Sequence, residues 1–318
     1  MSPTAPVSVA QLLSAGRLQE AEWLMRRGAE APLCVQQLAQ QLGTRLASEP
    51  FFVSPGYYAP LPSWAEAERC CGDAYQAGSV VERYQRAARQ AIASGNQQKP
   101  IDPYTMRQLA ALQHAWLEQG QPSTLRVLDF GGAMGAHFHN VERHWPWCRL
   151  EWTICETPAV TSAAAAEFEC NCPSGSQLRF SDQARAVLQT GCDLVFASCS
   201  LQYIEHWPAL LAQFTNVPWL LLDRVPLVDH PTDLIAIQVV PTSYTDTRYP
   251  GWKFAAGSWL PRLVQAGFEP VLQWLVPEDR WTVLDLETGQ YRWSAQHDHG
   301  FLLRRQPAES SNWPAVVF

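Results

Sequence analysis

Val127-Leu128-Asp129-Phe130-Gly131-Gly132-Ala133-Met134-Gly135-Ala136-His137-Phe138 decides how this chain reads. The stretch opens apolar and β-favouring, reaches an acid, then turns through three glycines into a helix-compatible run. A strand that ends in a Gly-rich turn and feeds a helix N-terminus brings backbone N–H groups close to a cofactor. Glycine tolerates positive φ and has no Cβ to keep the backbone away.

Beyond the turn, short apolar strands alternate with helical segments. The pattern predicts strands at 125–130, 150–155, 177–181, 193–198 and 219–223, with helices at 135–144, 159–168, 182–189 and 208–213. Such alternation implies a parallel sheet covered on both faces, with ligands at the strands' carboxyl ends. Residues 224–257 are too long for a crossover loop and read as a substrate-side insertion. Ser258 is placed to cap a helix over 259–266; a strand at 268–276, a hairpin within 281–294 and a last strand at 301–305 follow.

Upstream of the turn the pattern is helical. Residues 1–48 read as short helices, and the proline-rich 49–62 as an irregular loop. Ser63 with Glu66, and Ser79 with Glu82, have capping-box spacing, and Asp102-Pro103 opens a further helix. The expected organisation is an N-terminal helical region over 1–120, an α/β domain over 121–306 and a tail over 307–318.

Apolar residues make up 47% and charged residues 17%, enough for a sizeable core. A net charge of −7 argues against a nucleic-acid binder, which needs a basic footprint. No apolar run approaches the roughly 18 residues of a spanning helix, and no signal-peptide pattern opens the chain. Nine cysteines at irregular spacing read as free thiols in a reducing cytoplasm, with no zinc pairing among them. His297-Asp298-His299 reads as an exposed turn, so no metal is expected.

Gly131, Gly132 and Gly135 give G-G-x-x-G, which misses the dinucleotide frame G-x-G-x-x-G. Asp129 beside a pyrophosphate would repel it. A cationic sulfonium with an amino-acid head suits that acid, and Asp129-x-Gly131-x-Ala133-x-Gly135 matches the S-adenosylmethionine (SAM) turn with Ala133 at the middle glycine. Ala133 there implies a backbone that avoids strongly positive φ. Glu156, ending the second strand, can accept from both ribose hydroxyls. Ser181 and Asp182, ending the third, can reach the adenine amino group. Ser198 and Ser200 lie on the polar lip ending the fourth, toward the methionine end.

Further pieces are Ser63-Trp64-Ala65-Glu66-Ala67, Ser200-Leu201-Gln202-Tyr203-Ile204, Leu222-Asp223-Arg224-Val225-Pro226, and Gln238 through Tyr249-Pro250. With the glycine turn, these make the chain from about residue 55 resemble a poorly characterised bacterial family of class I SAM-dependent methyltransferases, often found near surface-polysaccharide genes. The resemblance implies a Rossmann-like class I fold, a seven-stranded mostly parallel sheet behind the helical region, with SAM as cofactor.

Methyl transfer to a hydroxyl needs an aligned acceptor and a proton acceptor. His206, after the fourth strand, is the first candidate base, since imidazole titrates near neutrality. Tyr203, Asp223, Arg224 and His137 are the other catalytic candidates. Gln202, Gln238, Tyr244, Tyr249 and Trp252 mix hydroxyls, amides and rings in a way that suits a small polar or saccharide-like acceptor. The expected activity is O-methylation; N- or C-methylation of a peptide or secondary metabolite, and a non-catalytic SAM-binding module, are the alternatives. Oligomeric state is not readable.

Overall fold

The central strands are apolar on both faces because both faces are covered. In the computed structural model, Leu220 and Leu222 join one core cluster with Leu128, Ala197, Trp207 and Trp259. Trp219 and Leu221, which alternate with them, join another with Leu125, Val127, Trp152 and Phe196. The structure describes residues 56–72, 78–93, 101–214, 216–240, 247–286 and 291–306. Residues 1–48, Tyr244 and the 307–318 tail lie outside the described residues.

In chain order the elements are β1 (Gly56–Ala59), α1 (Trp64–Arg69), α2 (Gly78–Ala93), α3 (Pro103–Glu118), β2 (Thr124–Phe130), α4 (Ala136–Glu142), β3 (Arg149–Cys155) and α5 (Pro158–Phe168). Then come β4 (Cys170–Asn171), β5 (Gln177–Ser181), α6 (Ala184–Thr190), β6 (Leu194–Ser198), α7 (Trp207–Leu211), β7 (Trp219–Val228), β8 (Leu234–Val239), β9 (Arg248–Ala255), α8 (Ala256–Gln265), β10 (Phe268–Asp285) and β11 (Tyr291–Arg305). The described residues fall into two compact units, one within 1–72, 234–250 and 281–295, the other within 73–233, 251–280 and 296–318.

In the larger unit the strands run β4-β5-β3-β2-β6-β7-β11. β5, β3, β2, β6 and β7 are parallel to one another; β4 on β5 and β11 on β7 are antiparallel. The chain steps from β2 outward through β3 to β5, then returns to β6 and proceeds to β7. That reversal between β2 and β6 is the switch point at which open α/β sheets bind ligands. The glycine turn leaves β2 at this point. The end of β9 extends the sheet beside β7, with Leu227 opposite Phe254.

In the smaller unit, β1 lies antiparallel to β8, with Tyr58 opposite Ile237, and parallel to β10, with Tyr57 opposite Val283. Tyr58, Ala59, Ile237 and Val283 are buried there. The proline-rich 49–62 therefore contributes a strand where an irregular loop is expected. Its prolines at 60 and 62 come just after that strand, where no ladder donor is needed.

Several expectations are corrected. The described residues hold eleven strands rather than a seven-stranded sheet. The expected insertion at 224–257 contains the end of β7 and all of β8 and β9, because Val225, Leu227 and Val228 continue the buried run. Ser63 caps α1, accepting from Glu66 N at 3.2 Å, and Asp102 caps α3, accepting from Thr105 N at 2.9 Å. Ser79 lies inside α2, which begins at Gly78. Ser258 lies inside α8 and donates back to Ala255 O instead of capping it. β10 runs unbroken through Pro277-Glu278-Asp279, where polar residues suggest a break, because Glu278 and Asp279 have basic partners in Arg107 and Arg224. His297-Asp298-His299 belongs to β11, and Asp298 is buried. No helix among the described residues is long and apolar enough to cross a membrane.

Candidate functional site

The turn after β2 is held by tight packing. Gly131 has φ +73°, donates to Cys155 O at 2.9 Å, and lies so close to Ser200 that a Cβ would meet that residue's Cβ at 2.5 Å. Gly135, the N-cap of α4, has φ +92°, and a Cβ there would meet Leu178 Cδ2 at 2.7 Å. Asp129 is fully buried beneath the turn: a Cβ on Gly132 would fall 2.3 Å from its Oδ2. Trp152 Nε1 donates to Oδ2 at 3.1 Å, while the buried Oδ1 has no hydrogen-bond partner.

Ala133 has φ +54°, against the sequence expectation. The left-handed region is small but allowed for an L-residue, at about 1–2 kcal/mol. The surroundings hold it there: Ala133 N donates to Glu156 Oε1 at 3.1 Å. Alanine has the smallest side chain that must bear this strain.

Glu156 leaves the end of β3 half-buried. Its Oε2 accepts from Thr157 N at 3.0 Å. Burial pushes its carboxyl above the usual range, against the lowering pull of its two backbone donors. Each oxygen retains a lone pair for a hydroxyl. Ser181 Oγ accepts from Gln183 N at 3.0 Å, and Asp182 is exposed, accepting from Gln183 Nε2 at 3.1 Å. Ser198 and Ser200 are buried, and neither Oγ has a hydrogen-bond partner.

His137, on the first turn of α4, has its Nδ1 3.7 Å from Asp129 Oδ2, beyond hydrogen-bond range, and its ring packs on Phe196. His139 is held below the ordinary imidazole range mainly by burial.

Just past the end of β6 and midway along β7 the backbone is left-handed, at Cys199 (φ +52°) and Arg224 (φ +58°). Cys199 N donates to Asp223 O at 2.9 Å, which ties the end of β6 to the middle of β7. Asp223 is buried, and its carboxylate accepts from Gln108 Nε2 of α3 and Trp274 Nε1 of β10, each at 3.2 Å. It acts as an anchor among α3, β7 and β10. Arg224 Nε donates to Asp279 Oδ2 at 2.5 Å, and its guanidinium lies 5.5 Å from the Tyr104 ring centroid. Tyr104 OH donates to Asp279 Oδ1 at 3.0 Å; burial, followed by the Asp279 charge, pushes this phenol up to about 12.

Gln202 is buried, its Nε2 donating to Cys199 Sγ at 3.2 Å, and half-buried Tyr203 has its OH 4.0 Å from the same sulfur. His206 is 80% exposed at its side chain, 3.6 Å from Glu205. It lines an open hollow of about 830 Å³ with Trp207, Asp233, Trp252 and Arg262. Trp252 Nε1 donates to Ile204 O at 3.1 Å. Gln238 and Tyr249 belong to the smaller unit, where Gln238 stands opposite Tyr57 and Tyr249 OH accepts from Thr247 Oγ1 at 2.9 Å.

Sequence reasoning missed Gln108, Tyr104, Trp274 and Asp279, whose roles depend on contacts across the fold. It also missed Lys253, which did leave a signal: only two of the 23 basic residues are lysines, Lys99 and Lys253. Lys253 is 1% exposed on β9. Burial lowers its pKa to about 7, and the charges of Asp298 and Cys199 pull the other way.

No family model and no curated protein matches the chain. Among solved structures it is similar to the Burkholderia thailandensis 1,6-didemethyltoxoflavin-N1-methyltransferase with bound substrate and S-adenosylhomocysteine, at 16% identity and TM-score 0.42, over 82% of this chain and 100% of that one. It is also similar to the N-terminal domain of EvdMO1 with S-adenosylhomocysteine and D-fucose, at 15% identity and TM-score 0.41, over 70% and 97%. A third is the glycopeptide N-methyltransferase MtfA with SAM, at 18% identity and TM-score 0.37, over 62% and 87%.

Proposed function

We propose that this chain is a SAM-dependent methyltransferase acting on an oxygen of a small polar or saccharide-like acceptor. One observation carries the reading. At the switch point, a close-packed glycine turn adjoins three buried oxygens without partners: Asp129 Oδ1, Ser198 Oγ and Ser200 Oγ. Buried polar atoms are almost always satisfied, so three together imply a polar ligand. A ligand with an ammonium and hydroxyls fits these acceptors.

In this reading Gly131, Ser198 and Ser200 hold the amino-acid end, and Asp129 supplies negative charge from beneath the turn. Glu156 accepts from ribose hydroxyls, while Ser181 and Asp182 meet the adenine. SAM, when bound, supplies a methyl carbon made electrophilic by a cationic sulfur. The chain's residues do the rest. Gln202 and Tyr203 form the lip against which the acceptor is set, and the Asp223 anchor keeps the end of β6 beside β7 in place. Tyr203 orients the acceptor hydroxyl. His206, exposed at the hollow, is in a position to meet solvent and take protons to bulk.

Calorimetry with S-adenosylhomocysteine tests the cofactor half. Micromolar binding that weakens at least about tenfold in Glu156→Gln is expected, one charge-assisted hydrogen bond being worth about 1.5–3 kcal/mol. No binding by the wild-type chain would end the proposal. Transfer of labelled methyl to a panel of saccharides, phenols and amines tests the acceptor half. Transfer to amines alone would overturn the oxygen assignment.

A further inference from the structure

The open hollow of about 830 Å³ beside α7 and α8 is not accounted for by the methyl-donor site: its lining holds none of the turn's residues and neither Glu156 nor Asp182. Its volume falls within the roughly 300–1,000 Å³ of small-molecule sites. Trp252 forms part of its wall. The indole Nε1 donates to Ile204 O at 3.1 Å and to Glu205 O at 3.3 Å, so the half-buried ring is held in one orientation.

Planar polar groups share the lining with that ring. Arg262 of α8 donates through Nη1 and Nη2 to the two oxygens of Asp233, at 2.5 and 2.8 Å, and through Nε to Ser258 O at 3.2 Å. Its guanidinium lies 4.9 Å from the centroid of the Trp207 ring, and Asp233 also accepts from Ala255 N at 2.8 Å. The pair is therefore fixed before any ligand arrives, and two of the five N–H donors of the guanidinium remain. Glu205 and Gln265, both exposed, add a carboxylate and an amide. Two carboxylates line the hollow against one guanidinium and the imidazole of His206, so an anion finds no excess of positive charge there. A flat ring among planar donors and acceptors fits a neutral polyhydroxyl ligand. The C–H bonds of a sugar ring meet the negative face of indole, and its hydroxyls meet the edges of amide, carboxylate and guanidinium.

Two chain segments join the hollow to the acceptor lip. Gly251, next to Trp252, is buried against Tyr203: a Cβ there would lie 3.4 Å from that ring's Cδ1 and Cε1, and 3.5 Å from Gln202 O. Residues 202–205 and 251–252 thus lie against each other, with the lip at one end and the hollow at the other. We propose that the hollow is a second sugar subsite: it holds the distal unit of an acceptor glycan of two or more sugars, while the unit to be methylated is set against Gln202 and Tyr203. The inference rests on the methyltransferase reading above and narrows its acceptor class to a glycan. No group is transferred in the hollow, whose residues bind and orient.

A glycan array probed with the labelled full chain, followed by calorimetry on the glycan retained most strongly, tests this. Glycans of two or more sugars are expected to be retained and their separate sugars not, with or without S-adenosylhomocysteine. Trp252→Ala is expected to weaken that glycan at least about tenfold, and Trp252→Phe less, since phenylalanine keeps a flat face. Glu205→Ala and Gln265→Ala are each expected to weaken it about three- to tenfold, the worth of one hydrogen bond. Affinity for S-adenosylhomocysteine should stay within twofold in every variant. If Trp252→Ala does not fold, the double variant of Glu205→Ala and Gln265→Ala, at two exposed positions, decides the matter. No glycan retained, single sugars retained as strongly, or affinity unchanged in the variants would overturn the proposal. Binding of S-adenosylhomocysteine without glycan retention ends the subsite alone. Glycan retention without that binding keeps the sugar site and ends the methyl-donor reading.

Discussion

Replacing Lys253 by methionine should change how stability depends on pH. In the unfolded chain a lysine holds its proton to about pH 10.5, whereas in the folded chain the buried Lys253 releases it at about 7. Between those values the unfolded state binds more protons, so wild-type stability rises with pH. The slope for one proton is about 1.4 kcal/mol per pH unit. Three and a half units correspond to roughly 4–5 kcal/mol, of which about 2 kcal/mol falls between pH 7 and 9, since the slope is only half developed at pH 7. Lys253→Met keeps the volume of the stem and has no proton to lose. Its stability relative to wild type should therefore be highest at and below pH 7 and decline steadily above it. Urea unfolding at pH 6, 7, 8 and 9, with both proteins in the same buffers, measures the difference. A difference that stays constant across this range, or grows in the methionine variant's favour as pH rises, would refute the reasoning that burial depresses this amine.

Ala133→Gly should leave stability within about 1 kcal/mol of wild type, because relief of left-handed strain offsets the added freedom of the unfolded chain; Ala133→Val, β-branched at the same φ, should cost about 2 kcal/mol or more by thermal or urea unfolding. Gln108→Leu leaves Asp223 with Trp274 as its remaining side-chain donor, and should destabilise by about 1–3 kcal/mol in urea unfolding. Gly300→Ala drives a Cβ to 1.9 Å from Trp274 Cε2, so the ring must shift from Asp223; a loss of about 1–3 kcal/mol is expected, with a change in tryptophan fluorescence. His206→Ala, at an 80% exposed side chain, should alter stability by less than about 0.5 kcal/mol.

The local features were legible because their causes are local. Ser63 and Asp102 cap helices through contacts three residues away, and the turn follows from glycines at fixed spacing after an apolar strand. Strand and helix alternation likewise placed β2, β3, β5 and β6 within a residue or so, since both faces of a covered parallel strand must be apolar. Where polar residues interrupted that pattern, as at Glu278-Asp279, the reading broke β10, because the arginines that pair with them lie far away in the chain.

By itself, then, the sequence determined the α/β alternation, the turn after β2 and the residue types at the strand ends. Tertiary structure decided which way those residues face. It folded Asp129 under the turn rather than out beside it, and it forced Ala133 into left-handed φ by giving its N–H to Glu156. It made Asp223 an anchor through Gln108 and Trp274, 115 and 51 residues away in the chain. It also sealed Lys253 from water, and an amine's proton affinity depends on that exclusion, which no local pattern of residues records.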